Sequence, residues 1–312
     1  MRVSTSMQYY SGKQSLLDNQ GSLQKLQNQL STGRKVLTPS DDPVAATRSL
    51  LIEQSKGKNE QYMSSQEMAS SQLALTDSLL SSATDILMTV SDVSVAAGDA
   101  TYTDAERATL AKDLRERLKN LVDLSNSKSA SGDYIFGGYM SNDPPFSMDP
   151  NTLAVTYNGD GGNLLLQIAS TATVPITEDG NDVFMRTLDS GNSPTGKSVF
   201  QAVQDMITYL ETPNAPNTPT GLADYSAALN GIQESMSHVS RWRSVIGARE
   251  GLVEAMGQTS QQLDTQFSTQ ESALTDLDYT SAITDFTLQK TQLEAAQQTF
   301  SKVTGSNLFS YL

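Results

Sequence analysis

The sequence predicts a mainly α-helical protein: a long coiled-coil helical bundle built from paired N- and C-terminal segments, with a small β-rich domain inserted in the middle. Three observations predict it. Apolar residues recur every seven positions at both ends of the chain, the mark of a narrow seam that meets a partner helix. Aromatic side chains make up 6 % of the 312 residues, with one Trp and eight Phe, too few for a large compact core. Residues 141–190 lose the helical period and alternate short β-branched runs with clusters of turn formers.

At the N-terminal end Tyr9, Leu16, Leu23 and Leu30 are spaced by seven, with Gly12, Asn19 and Leu26 between them. That is an a/d seam carrying one polar residue, Asn19. Gly33 follows the last apolar position, where a helix C-cap belongs. Pro43 suits a first helical position with Asp42 as its N-cap. Two adjacent aspartates, Asp41 and Asp42, can also mark a metal or acid–base site. With no histidine or further carboxylate beside them, a helix start is the better reading.

A long helix is expected from there, polar over residues 54–72 and then periodic through Leu75, Leu79, Ala83, Ile86, Val90, Val93 and Ala97. Thr103 and Glu106 have capping-box spacing and open a helix with Leu110, Leu114, Leu118, Leu121 and Leu124 on one side. Its basic residues interleave with acidic ones, which fits a solvated face rather than a nucleic-acid surface. In the β-rich stretch, residues 153–157 and 164–168 flank a glycine-rich turn and predict a hairpin, with 173–176 as an edge strand.

Ser198 to Leu210 returns to helix, with Val199, Val203, Met206, Ile207 and Leu210 on one face. Pro213, Pro216 and Pro219 predict a stiff exposed linker. A very long helix follows, reading Leu222, Tyr225, Leu229, Ile232, Met236, Val239, Arg243, Ile246 and then Val253, Met256, Ser260, Leu263, Phe267, Gln270, Leu274, Leu277. The two phases predict a slip of three or four residues near Gly247, Gly251 and Gly257. The last helix carries Ile283, Phe286, Leu293, Phe300 and Val303, interrupted by Lys290 and Gln297, and the chain closes on the apolar run Leu308, Phe309, Tyr311, Leu312. An apolar stripe at a chain end calls for a cover, and the N-terminal stripe is the obvious one, first within the chain and then from neighbouring chains. The organisation expected is therefore terminal helices at 1–35 and 278–312, a helical bundle at 36–140 and 191–277, and the β-rich part at 141–190.

Composition narrows the function. The net charge is −14, and residues 141–240 hold 11 acidic against 2 basic side chains, which argues against nucleic acid and anionic membrane as partners. No run approaches ~18–20 consecutive apolar residues, so no membrane insertion is expected. The N-terminus lacks the apolar core of a cleaved signal peptide. With no cysteine, thiolate sites are excluded; with one histidine, His238, histidine-rich metal sites and most histidine-based acid–base mechanisms are not expected, and His238 itself reads as a packing or surface residue. The glycine-rich turn lacks the following helix of a phosphate cradle, and residues 178–182 lack the ligand pattern of a calcium loop. Asp160, Asp179 and Asp182 have no partner base or nucleophile in the pattern. No enzyme, cofactor or metal is expected.

The layout as a whole resembles the flagellin family, whose termini pair into the core of a tubular filament. Leu30-Ser31-Thr32-Gly33-Arg34-Lys35 followed by Pro39-Ser40-Asp41-Asp42-Pro43-Val44-Ala45 is similar to the hook-associated, junction-forming class within that family, where flagellin itself typically has Ala-Gly after the aspartate pair. Gly132-Asp133-Tyr134-Ile135-Phe136-Gly137-Gly138, Pro145-Phe146-Ser147 and the C-terminal run from Ala282-Ile283-Thr284-Asp285 to Leu308-Phe309-Ser310-Tyr311-Leu312 resemble the same class.

The resemblance implies a secreted structural subunit of the bacterial flagellum. Copies of the chain would form a ring between a hook-side junction protein and the flagellin filament. Export would run through the flagellar type III channel without a cleaved signal, with an export chaperone on the C-terminal helix. The expected assembly interface is Leu16, Leu23, Leu26, Leu30, Ile283, Phe286, Leu293, Phe300 and Val303. The alternative within the family is a minor flagellin that forms the filament itself.

Overall fold

A computed structural model describes residues 5–99, 101–189, 191 and 193–305. Among them run six α-helices and four short strands: α1 (Thr5–Thr32), α2 (Pro43–Ala97), α3 (Asp104–Ser125), β1 (Phe146–Met148), β2 (Val155–Tyr157), β3 (Leu165–Gln167), β4 (Thr173–Pro175), α4 (Val199–Glu211), α5 (Pro219–Thr275) and α6 (Tyr279–Gly305). The architecture is the mainly helical one with a small β-rich insertion that the sequence predicts. The chain divides into a terminal unit, residues 1–59 and 262–312, and a central unit, residues 60–261.

In the central unit α2 buries Leu73, Thr76, Leu80, Ala83, Leu87, Val90, Ser94 and Ala97, steps of three and four held without a break. The expected positions Leu75, Leu79, Ile86 and Val93 are only half-buried beside that line. Hydropathy alone misplaces the seam because two of its members are polar. The Thr76 hydroxyl donates to the Gln72 carbonyl (2.9 Å) and the Ser94 hydroxyl to the Val90 carbonyl (2.6 Å), so neither brings an unmet hydrogen bond into the core. One 18-residue window of α2 reaches a mean hydropathy of 1.2, long and apolar enough by composition to cross a membrane. Within α2, Leu80, Leu87 and Val90 are buried against the rest of this unit.

The partner of α2 is α5, running antiparallel. Tyr225 donates to the Ser94 carbonyl (3.2 Å), Arg243 forms a two-pronged pair with Asp77 (3.0 and 3.2 Å), and Gln66 donates to Ser260 Oγ (3.0 Å). The predicted slip in α5 does not occur. The helix is unbroken over 57 residues, and its buried line Ile232, Val239, Ile246, Val253, Ser260 keeps one seven-residue phase. Only the intervening positions change as the neighbours of α5 change, and Gly247 and Gly251 face open space.

α3 opens on the predicted capping box: the Glu106 amide donates to Thr103 Oγ1 and the Thr103 amide to the Glu106 carboxylate. It buries Ala111, Leu114, Leu118 and Leu121 against α4, whose expected face of Val199, Val203, Met206, Ile207 and Leu210 is fully buried. The segment after α4 is less free than its prolines predict. Buried Arg107 donates to the Thr212 carbonyl (3.2 Å) and to Asp104, and Ala215 is buried in a 3-10 turn at Ala215–Asn217.

The β-rich insertion differs from expectation in its pairing. β1 pairs with β2 and β3 with β4, both antiparallel, so the glycine-rich stretch joins two hairpins instead of turning one. Asp160 in that stretch accepts from the Tyr139 amide (2.5 Å), which ties the linker to the chain before β1. The expected edge strand is β4. Phe136, Phe146, Phe184 and Phe200 form one aromatic cluster with ring centroids 5.1–5.8 Å apart. Polar contacts then lay the insertion along the helices: Gln66 donates to the Ile168 carbonyl (2.7 Å), and Arg249 pairs with Glu178.

In the terminal unit, the turn between α1 and α2 is held by the aspartate pair. Asp42 caps α2, accepting from the Val44 and Ala45 amides (3.1 and 2.9 Å), as the sequence predicts. Asp41 pairs with Lys25 (2.6 Å) and accepts from the Thr38 and Leu37 amides (3.0 and 3.2 Å). The Lys25 ammonium, and after it the Thr38 amide, hold the Asp41 carboxyl down at about 2.

Two outcomes follow from these contacts. Glu178 is 2 % exposed, so Arg249→Met leaves a buried carboxylate unpaired and should lower stability by about 3–5 kcal/mol. The double variant with Glu178→Gln should recover most of that loss, in urea unfolding followed by Trp242 fluorescence. Because Asp41 is more acidic folded than unfolded, its contribution is complete above its ordinary 3.8 and lost as pH falls through about 2. Hydrogen exchange at the Leu37 and Thr38 amides should therefore accelerate across that window in the native chain. In Asp41→Asn it should already be fast at neutral pH.

Candidate assembly interface

The first and last helices meet inside the terminal unit, where α1 and α6 pack antiparallel. Tyr9 near the start of α1 lies against Phe300 near the end of α6, with ring centroids 5.4 Å apart. At the opposite end, the Lys35 amide donates to the Thr275 carbonyl (2.7 Å) and the Leu277 amide to the Gly33 carbonyl (2.9 Å). Asp278 starts α6 by accepting from the Thr280 amide (2.9 Å) and the Ser281 hydroxyl (3.0 Å). Those bonds, the Ser281 hydroxyl first, hold its carboxyl below the usual range.

Two glycines make the pairing possible. Gly33 ends α1 with φ +70°, the left-handed conformation expected of a C-cap, and a Cβ there would lie 2.9 Å from the Tyr279 hydroxyl. Gly12 is the gap that receives Phe300: a Cβ on Gly12 would come within 2.9 Å of that ring. The pair is thus a knob and a hole fixed in register by the smallest and one of the largest side chains on the seam.

The structure places the sequence-predicted residues unevenly. Leu16, Leu23, Leu26 and Leu30 of α1 are half-buried on the side facing α6, together with Asn19. Phe286, Leu293 and Phe300 are half-buried on α6. Ile283 is 54 % exposed and lies off that seam, while its neighbour Ala282 is buried. The side chain of Val303 and the apolar run 308–312 lie outside the described residues.

Sequence reasoning missed three members of the α6 seam. Ala282 comes one step before Phe286, Gln289 and Ala296 occupy the steps between Phe286, Leu293 and Phe300, and the expected interruptions Lys290 and Gln297 point to solvent. The available signal was the alternation of three and four counted from Tyr279, which a search for large apolar residues passes over.

Outside the seam, the terminal unit leaves many large apolar side chains uncovered. Met7, Tyr10 and Leu17 on α1, Val44, Leu50 and Leu51 on α2, and Ile283 and Leu288 on α6 are each more than half exposed. An apolar groove of about 470 Å³ lies between Arg48, Leu51 and Ile52 of α2 and Gln270, Ala273 and Leu274 of α5. Surface of this kind marks a site of protein association.

Among the described residues no three His, Cys, Asp or Glu side chains come together to hold a metal ion. Asp160 and Asp179 accept backbone amides of Tyr139 and Asn181, and Asp182 pairs with Arg186 (3.4 Å). Those are the contacts of carboxylates that hold turns.

Known proteins match along the whole chain. The family model for the bacterial flagellin N-terminal helical region matches residues 3–141, and that for the C-terminal helical region matches residues 229–312. Flagellar hook-associated protein 3 of Salmonella typhimurium is 30 % identical over 317 aligned positions, covering 99 % of each chain. The protein of the same name from Escherichia coli is 28 % identical with the same coverage. Among solved structures, a putative flagellar hook-associated protein from Vibrio parahaemolyticus superposes with a TM-score of 0.66 at 20 % identity, over 76 % of this chain and 100 % of that one. Flagellar hook-associated protein-3 from Legionella pneumophila gives 0.64 at 19 % identity, over 72 % and 98 %. These two share the fold. With both terminal helices, the elbow at Gly33 and the β-rich insertion all falling within an end-to-end match at 30 % identity, the chain belongs to the flagellar hook-associated protein 3 family.

Proposed function

We propose that this chain is a structural subunit of the bacterial flagellum that forms the junction between hook and filament. The observation that carries the reading is the end-to-end likeness to hook-associated protein 3, including both terminal helices. The exposed apolar side chains of the terminal unit support it, because a surface of that kind is stable in water when other subunits cover it.

In this reading copies of the chain form a ring that joins a hook-side junction protein to flagellin. Residues 1–35 and 278–312 make the core contacts, 36–140 and 191–277 form the shaft of the subunit, and 141–190 face outward. The interface residues are Leu16, Leu23, Leu26, Leu30, Phe286, Leu293 and Phe300, which align the two terminal helices, Ile283, which meets a neighbour, and Val303. The protein reaches its extracellular place through the flagellar type III channel without a cleaved signal, and a chaperone covers the C-terminal helix beforehand. A chain with no cysteine suits that route, since no disulfide has to form after passage.

Deletion of the gene in its native bacterium should leave hooks without filaments and shed flagellin monomers into the medium. Normal filaments in a strain with no second copy would overturn the reading. Two substitutions separate the roles within the interface. Phe300→Asp should abolish incorporation and also disrupt the pairing of α1 with α6, while the central unit keeps its fold and its Trp242 emission. Ile283→Asp should block incorporation with the helical content of the free subunit unchanged. Loss of the central fold in Phe300→Asp, or normal filaments with Ile283→Asp, would refute the assignment.

A further inference from the structure

Gln66 of α2 is 4 % exposed and touches two other parts of the central unit. Its side-chain nitrogen donates to the Ile168 carbonyl of the insertion (2.7 Å) and to Ser260 Oγ of α5 (3.0 Å). A carbonyl only accepts, so the nitrogen end of the amide must face Ile168, and that fixes the oxygen end. Gln66 Oε1 is buried with no hydrogen-bond donor among the described residues. Gln66 lines a cleft of about 530 Å³ between α2 and α5, and so does Gly257, where a Cβ would come within 3.8 Å of that oxygen. A buried carbonyl oxygen beside an opening is an acceptor held ready for a donor from outside.

We propose that this cleft receives the ammonium group of a lysine side chain presented by a partner protein. Glu67 of α2 and Glu254 of α5 line it, one from each helix. Both are exposed, and neither pairs with a cation or accepts a hydrogen bond among the described residues. No basic side chain lines the cleft. The site therefore offers two carboxylates and one buried amide oxygen, and its occupant has to bring donors and positive charge.

A lysine meets those terms in full. Its ammonium carries three donors, one for each acceptor group, and a single oxygen takes one of them end-on. A flat guanidinium fork is built to meet two oxygens side by side. A calcium ion calls for six to eight oxygen ligands, more than these three groups supply. Met63 and Val253 line the same cleft and give the four-carbon stem of a lysine an apolar surface to lie on. The net charge of −14 draws basic partners toward the chain before contact. A cation on Oε1 also polarises the amide, which strengthens the two bonds that its nitrogen already donates. Docking therefore tightens the hold of α2 on the insertion at Ile168 and on α5 at Ser260.

The full chain, isotope-labelled for NMR, is titrated with N-acetyl-lysine methylamide, and the side-chain amide signals of Gln66 are followed. Those signals are assigned by their absence from Gln66→Met. Saturable shifts there and at the backbone amides of Glu67, Glu254 and Gly257 are expected, and added salt should weaken them. Glu67→Gln and Glu254→Gln should each weaken binding several-fold. Gly257→Ala, which sets a methyl group against Oε1 in ordinary contact and suits a helix, should do the same without touching a charge. Unchanged Trp242 emission shows that each variant keeps its fold. Equal shifts with N-acetyl-norleucine methylamide, or binding that all three substitutions leave unaltered, would overturn the proposal. Methylammonium binding as tightly as the lysine probe would assign the cleft to a free small cation, and calcium producing the same Gln66 shifts at lower concentration would assign it to a metal ion. Either result would overturn it too, as would the absence of any shift at Gln66.

Discussion

The seam between α2 and α5 is the constraint on which the rest of the central unit depends. Ile232, Val239, Ile246, Val253 and Ser260 hold one phase along α5, and the α2 line from Leu73 to Ala97 answers in steps of three and four. Arg243 with Asp77, Tyr225 with Ser94 and Gln66 with Ser260 set the register between them. Everything added later in the chain uses that frame. α3 and α4 pack as a pair in the same core cluster, and the insertion lies along α5 through His238, Trp242 and Arg249.

The seams of this protein are narrow and partly polar. Thr76, Ser94, Ser235 and Ser260 stand among the buried residues, and Asn19 and Gln289 among the half-buried ones of the terminal pair. A hydroxyl that returns its hydrogen bond to the preceding turn, as Ser235 does to the Gly231 carbonyl (2.7 Å), can be buried at little cost. It also contributes little apolar area. A line that alternates leucine with serine therefore specifies which helix faces which more strongly than it stabilises the pair. That balance suits a terminal pair whose other faces stay apolar and exposed.

Much of this was legible from periodicity. The α1 seam, the C-cap at Gly33, the N-cap at Asp42, the capping box at Thr103 and the buried face of α4 all stand where the residue pattern puts them. The misreadings share a physical cause, which is that small and polar residues occupy seam positions without an apolar signal. Thr76 and Ser94 displaced the α2 line by a residue or two, and Ala282, Gln289 and Ala296 hid half of the α6 seam. The strand pairing was out of reach for a different reason. The contact of Asp160 with the Tyr139 amide joins residues about twenty apart, and no local pattern announces it. For the functional surface, the sequence carried the list of apolar residues but not which of them the chain covers by itself; Ile283 and Phe286 differ in that respect although they lie only about 60° apart around the helix.

The pairing of Tyr9 with Phe300 joins residues roughly 290 positions apart in the chain. Contacts of short span close quickly, and closing a loop of that length has to wait until both of its ends exist in one place. Within this chain α3 meets α4, and each strand finds its neighbour, across far shorter spans. The protein therefore carries its own order of events: a chain delivered from one end would complete its middle first and keep both ends open until last. In the junction role proposed above, subunits arriving in that state would present unpaired ends at the moment when neighbouring subunits are there to receive them.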